Sequence, residues 1–216
     1  MNRSTESLVE KMKISASNYR HSRLNLTRLF VCLILALIAF TGSQWETQIP
    51  LVSGILFLGG CFLVGIATIG RLWCSLYIAG RKSTALVVEG PYSLCRHPLY
   101  FFSLLGGIGV GMASETLTIT ALIILAFVSY YPFVIRYEEN KMRTLHGQMH
   151  EQYCQKTPRF WPRWSHLAEP EEYLIYSKIF RKHLLGNMGF ILLVGFLELM
   201  EMFKELGILP VFATLY

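Results

Sequence analysis

Four stretches without a single charged residue constrain this chain more than any other feature. Leu29 to Trp45 is a run of 17, Thr47 to Gly70 of 24, Pro98 to Ser114 of 17 and Thr116 to Ile135 of 20. A helix needs roughly 20 largely apolar residues to cross the hydrocarbon core of a bilayer. The shorter runs qualify because flanking Lys and Arg reach back towards the headgroups. A fifth run, Leu184 to Leu197, has 14 residues and is followed by Glu198 and Glu201. That length also suits a re-entrant or interfacial helix. Arg181, Lys182 and His183 can anchor its start, which favours a fifth span.

Composition points the same way. Of 216 residues, 53% are hydrophobic and only 16% charged, with mean hydropathy +0.41. A soluble domain carries about a quarter charged residues. Disorder, a collagen repeat and a secreted disulfide scaffold are excluded. The expected class is all-α: a polytopic helical membrane protein of about five transmembrane helices. Three parts are expected: a cytoplasmic or interfacial arm over 1–28, a transmembrane core over 29–164, and a C-terminal segment over 165–216 that carries the fifth helix.

The net charge of +6 and pI near 9.1 could suggest nucleic acid, but the charges are placed otherwise. Nineteen of the 20 Lys and Arg fall in the N-terminal segment, in Arg71 to Arg96 and in Arg136 to Lys182; Lys204 is the remainder. The loops around Glu46 and Glu115 hold none. Basic residues concentrate on the cytoplasmic side of membrane proteins. The N-terminus and both long loops are therefore expected in the cytoplasm, beside the lipid bilayer, with no nucleic-acid partner. No cleavable signal peptide is visible, because the first apolar run starts about thirty residues in and no small-residue cleavage pattern follows. The five cysteines form no CxxC pair, and reduced thiols are the simplest reading.

Two cytoplasmic stretches look organised. In the first, Leu72 to Gly80 continues the second helix, Gly80 to Ser83 breaks it, Ala85 to Val88 is extended and Gly90-Pro91-Tyr92 turns the chain. In the second, Arg136 to Gln155 reads as a helix ended by Pro158 and Pro162, with Phe160, Trp161 and Trp164 as an interfacial aromatic cluster. The stretch from Ser4 to Asn25 reads either as a surface helix along the membrane or as a frayed polar tail.

The most specific string is Gly90-Pro91-Tyr92-Ser93-Leu94-Cys95-Arg96-His97-Pro98-Leu99-Tyr100. Proline is favoured in the first helical turn, so a helix opens at about Pro98. Its free N–H groups, with Arg96 and His97 beside them and Tyr100 within a turn, make a place for a carboxylate or phosphate. Arg and His at a span boundary can equally be interface anchors. Glu138 and Glu139 follow the fourth run, against the basic surroundings. Glu139 can pair with Arg143 four residues on. Alternatively the acidic pair binds a cation or accepts hydrogen bonds from a ribose. His146, His150 and Cys154 share a helical spacing but lack a fourth ligand, so no metal site is assigned. Gly106, Gly107, Gly109 and Gly111 are explained by close helix packing.

Together these residues resemble the isoprenylcysteine carboxyl methyltransferase and phospholipid methyltransferase superfamily of integral membrane enzymes. The resemblance rests on Gly90-Pro91-Tyr92, Arg96-His97-Pro98-Leu99-Tyr100, Glu138-Glu139, and Gly147 to Tyr153 running into Phe160-Trp161-Pro162, across roughly Pro50 to Trp164. It implies a membrane methyltransferase that holds S-adenosylmethionine in a pocket formed by the cytoplasmic segments. Carried over by position, the cofactor-binding residues are Arg96, His97, Pro98, Tyr100, Glu138 and Glu139. It implies a lipidic, prenylated or small hydrophobic methyl acceptor and assigns no single residue as catalyst. The chain departs from the family at Phe102, where Gly is frequent, and at His150, where Tyr is frequent; both bear on the acceptor pocket. Two other readings are an NADPH-dependent membrane reductase of the sterol reductase type, which the acidic pair disfavours, and a non-enzymatic membrane scaffold.

Overall fold

Helices dominate because the apolar runs must satisfy their own backbone groups in hydrocarbon. The computed structural model describes residues 25–81 and 85–216. The surface arm expected from Ser4 falls outside the described residues up to Asn25. Helix α1 is Asn25–Phe40. The strand β1 (Thr41–Ser43) and the short α2 (Gln44–Gln48) lead into α3 (Pro50–Ile78). One turn of helix, α4 (Pro91–Leu94), precedes α5 (Pro98–Ala113). The 40-residue α6 spans Leu117–Lys156. A 3-10 turn at Trp164–His166 precedes α7 (Ser177–Asn187), α8 (Gly189–Glu205) and β2 (Ala213–Leu215).

Three helical stretches are long and apolar enough to cross a membrane: Pro50–Ile78, Leu117–Lys156, and Ser177–Glu205 taken across the α7–α8 junction. The apolar α1 and α5 are shorter. The chain is thus an all-α helical membrane protein. Its only regular strand pairing among the described residues is the parallel contact of β1 with β2, three residues long. The outward faces carry apolar side chains, with Phe62 and Ile69 each 70% exposed. In water such faces would be a liability; in a bilayer they are the solvent-matched surface.

The bundle is organised around α3 and α5. A Cβ on Gly60 would lie 2.4 Å from the Ala113 nitrogen and 2.6 Å from the Gly109 carbonyl oxygen. The two backbones therefore meet with no side chain between them, as the glycine-rich α5 led one to expect. Ile34, Ile38, Val64, Val110, Ile119 and Leu197 form one core, joining α1, α3, α5, α6 and α8. Cys74, Tyr77, Tyr92 and Phe102 form a second, nearer the end that carries the motif. Phe102 packs in this second core. Its ring occupies the place of a missing side chain at Gly70, where a Cβ would sit 2.3 Å from the ring.

The end away from the motif is closed by polar ties. The Ser43 hydroxyl donates to the Glu115 carbonyl at 2.7 Å, and Ser53 donates to the Glu115 carboxylate. Lys204, whose side chain is 5% exposed, donates to the Thr41 carbonyl at 2.7 Å and pairs with Glu201 at 2.8 Å. The lone basic residue at this end is thus a buried strut.

Candidate functional site

The motif segment folds as a bracket. Gly90 turns with φ +59°, and a Cβ there would lie 2.3 Å from the Tyr77 ring, so the turn needs glycine on two counts. The Ser93 hydroxyl donates to the Gly90 carbonyl at 2.7 Å and accepts from the Ala168 N–H at 3.0 Å. Arg96 N–H donates to the Pro158 carbonyl and Arg163 N–H to the Leu94 carbonyl, at 2.9 and 3.1 Å. The chain after α6 is thereby strapped across the motif. Pro98 then opens α5 as the sequence implies, with His97 as the residue before the first turn.

From the other side, α6 brings its charged half. Beyond Ile135 the helix carries Arg136, Glu138, Glu139, Lys141 and Arg143, and lies outside the uncharged membrane-spanning part. The expected helix over 136–155 is therefore the continuation of the fourth span. It is broken once, at Gly147, with φ +50° and ψ −123°. This break redirects the last turns towards the motif. The Tyr153 hydroxyl donates to the Tyr92 carbonyl at 2.7 Å.

Glu139 is the centre of the arrangement. Arg96 reaches its Oε1 at 2.8 Å and His97 Nε2 lies 3.3 Å from the same oxygen. Arg159 takes both oxygens, Nε to Oε1 at 3.2 Å and an NH2 to Oε2 at 2.7 Å. The pairing with Arg143 is not among the ion pairs of the described residues; cations from two other segments replace it. Burial alone would raise the Glu139 carboxyl. Hydrogen bonds from His97 and Arg159 and the charge of Arg96 outweigh it and hold the group at about 2. Its neighbour has a different partner: the Tyr100 hydroxyl donates to Glu138 Oε1 at 2.6 Å. Tyr100 also stacks with His97, ring centres 5.9 Å apart.

These groups border a cavity of about 140 Å³, walled by Leu86, Tyr92, Tyr100, Glu138, His150 and Tyr153 among others. Of the residues singled out in sequence, Arg96, His97, Tyr100, Glu138 and Glu139 line it. Pro98 does not; it is fully buried behind them as the helix start. Two polar atoms of lining residues, the Arg96 Nε and the Tyr92 hydroxyl, are buried without a partner among the described residues. Burial keeps that hydroxyl protonated, well above its ordinary value. Such orphaned groups are rare unless water or a ligand completes them. Burial also pushes the Cys95 thiol up to about 12, leaving it unreactive.

Arg159 escaped the sequence reading, because a lone arginine between two prolines carries no spacing signal. Tyr92 and Tyr153 were visible only as motif letters. His150 packs against Cys154 at 3.7 Å, and no group of three or more metal-ligating residues occurs among the described residues.

Fold and site define an integral membrane protein with a cleft lined by charged side chains at its basic end. The chain belongs to the phospholipid methyltransferase family, part of the isoprenylcysteine carboxyl methyltransferase-like superfamily; the family's model matches residues 51–149. That match runs from the start of α3 to the middle of the charged half of α6. The chain is 39% identical over 196 residues to the cobalt-zinc-cadmium resistance protein CzcN of Cupriavidus metallidurans, covering 91% of this chain and 89% of that one. It is 37% identical over 196 residues to the nickel-cobalt-cadmium resistance protein NccN of Alcaligenes xylosoxydans xylosoxydans, covering 91% and 90%. No solved structure matches the chain.

Proposed function

We propose that this protein is an S-adenosylmethionine-dependent methyltransferase that acts on a lipidic or membrane-associated acceptor. In this reading the donor binds in the cleft between the α4–α5 bracket and the charged half of α6. The cleft faces the cytoplasm, the bundle crosses the bilayer about five times, and α1 and α5 cross despite their length. The observation that carries the reading is the pair of orphaned buried groups, Arg96 Nε and the Tyr92 hydroxyl, beside two carboxylates in a cleft that Arg81 and Lys141 also line. S-adenosylmethionine supplies a methyl group already activated by its sulfonium sulfur, together with a carboxylate, an ammonium and ribose hydroxyls.

The residues present fit that group. Arg96 and the Tyr92 hydroxyl donate to its carboxylate. Glu138 accepts from the ribose or the ammonium while Tyr100 orients it. Glu139 is already occupied by Arg96, His97 and Arg159, so it organises the cleft and leaves direct contact to Glu138. Pro98 holds the bracket in place. The protein's part in catalysis is alignment and exclusion of water. A dinucleotide phosphate would meet the Glu138 carboxylate unfavourably, which disfavours the reductase reading.

Calorimetry on the folded protein in lipid nanodiscs tests the donor site. S-adenosylmethionine binds, and Glu138→Gln weakens it at least tenfold; no binding by well-folded protein overturns the proposal. Incubating membranes with radiolabelled methyl donor then shows whether lipid, protein or small molecule is labelled.

A further inference from the structure

A second, larger cavity lies deeper in the bundle. It measures about 570 Å³ and opens between α1, α5, α6 and the α7–α8 junction. Phe30, Ile123, Phe127, Phe190 and Leu193 make its walls apolar. Its volume falls within the range of small-molecule sites, about 300–1,000 Å³. Among the described residues one charged side chain lines it, Arg71 of α3. By position in sequence Arg71 is only the basic residue that ends the second apolar run. In the fold it turns inward. Its Nε donates to Asn187 Oδ1 at 3.0 Å, an NH1 donates to the Ser103 hydroxyl, and the guanidinium lies 5.5 Å over the Phe190 ring. Asn187 is itself buried and held by Ser75 at 3.1 Å.

All three partners are neutral. No ion pair joins Arg71 to a carboxylate among the described residues. An enclosed guanidinium without counter-charge is costly, and ionisable groups at such positions mark ligand sites by default. The partners orient the guanidinium but leave its charge unbalanced. Its planar fork suits a carboxylate or a phosphate. The position matters as much as the charge. Ser103 stands one helical turn beyond Tyr100 on α5 and donates to the Leu99 carbonyl at 2.6 Å. Tyr100 borders the first cavity and Tyr131 the second, their rings edge-on with centres 5.1 Å apart. The two cavities share this aromatic wall.

We infer that the second cavity binds a single-chain amphiphile with an anionic headgroup, its tail among the apolar walls and its headgroup on Arg71 beside Tyr100 and Tyr131. That this ligand is the methyl acceptor rests on the methyltransferase reading above; that it binds does not. Arg71 is then the specificity-determining residue, selecting anionic from neutral lipids.

The test uses the full chain in zwitterionic nanodiscs, without methyl donor. Retention of radiolabelled palmitate, hexadecyl phosphate and hexadecanol is measured against empty discs. At least one anion is retained tenfold or more over the alcohol, and the better of the two identifies the headgroup as carboxylate or phosphate. Arg71→Gln removes the preference and leaves alcohol binding in place. Equal retention of anions and alcohol, or a preference that survives in Arg71→Gln, overturns the inference. Arg71 also ties α3 to α7, so a second variant guards against misfolding. Gly189 lines the cavity, and a Cβ there meets nothing within 4 Å. Gly189→Leu fills the space and lowers retention of all three ligands at least fivefold; unchanged retention in this folded variant also overturns the inference. Donor calorimetry on the same discs separates the two readings. Donor binding without anion preference ends this inference alone. Anion preference without donor binding ends the methyltransferase reading and leaves the site standing.

Discussion

Glu139 shows how one residue organises a site without being free to bind. Two guanidinium groups and the His97 imidazole converge on it, and its carboxyl is held at about 2 although burial opposes ionisation. The sign of its pH dependence follows. A carboxylate depressed in the fold contributes stability above its unfolded value, about 4.3, and loses it as pH falls through about 2. Between pH 5 and 8 Glu139 therefore adds no slope to stability. Glu139→Gln leaves Arg96 and Arg159 facing a neutral amide and costs about 3 kcal/mol, the low end for breaking a buried pair because Arg159 is partly exposed. Thermal unfolding in detergent at pH 7 and pH 5 checks both points: a lowered midpoint at each pH, with the wild-type difference between them unaltered. Phe102 carries a different lesson at this scale. Its large ring is accommodated by Gly70 of α3, whose missing side chain leaves the space that the ring fills.

At the scale of elements, two glycines do opposite work. Gly60 lets α3 and α5 touch through their backbones, and a side chain there meets Ala113 and Gly109 main chain, which cannot rotate away. Gly65 lies on the same helix, and a Cβ there meets nothing within 4 Å. Gly60→Val should lower stability by about 3 kcal/mol, at or above the usual overpacking range, whereas Gly65→Ala is neutral or slightly stabilising. Parallel thermal denaturation of the two variants distinguishes a specific contact from general glycine intolerance. Gly147 has open space around it, so its requirement is conformational alone. Gly147→Ala strains the break in α6 by about 1–3 kcal/mol. The turns carrying His150 and Tyr153 then shift off the cleft. Donor affinity measured by calorimetry is expected to fall while the helical circular dichroism spectrum is retained.

Across the whole molecule, one end is basic and carries the cleft, and the other is closed by Ser43, Glu115 and Lys204. The proposed topology puts these ends on opposite sides of the bilayer. In a background without native cysteines, an impermeant thiol reagent added to intact cells should label Glu46→Cys at once and Lys141→Cys only after permeabilisation. The reverse pattern inverts the orientation. The β1–β2 contact brings Thr41–Ser43 beside Ala213–Leu215, so the last residues of the chain stand at the closed end, remote in sequence but adjacent in space.

The grouping of the motif residues was implied by the family resemblance, whereas the membrane class, the helix start at Pro98 and the glycine packing of α5 were legible in the amino-acid order itself. These are properties of local composition and spacing: a run of apolar residues, a proline in a first turn, a basic flank. The tertiary structure decided what depends on rotation about helix axes and on the returning strap. Arg159 reaches Glu139 only because the chain doubles back after Gly147 and Pro158 to lie across the bracket. Arg71 and Lys204 look like their fellow surface cations in one dimension, yet each points into the protein. Which way a side chain faces is set by the neighbours that the helix packs against, and a one-dimensional pattern holds no record of them.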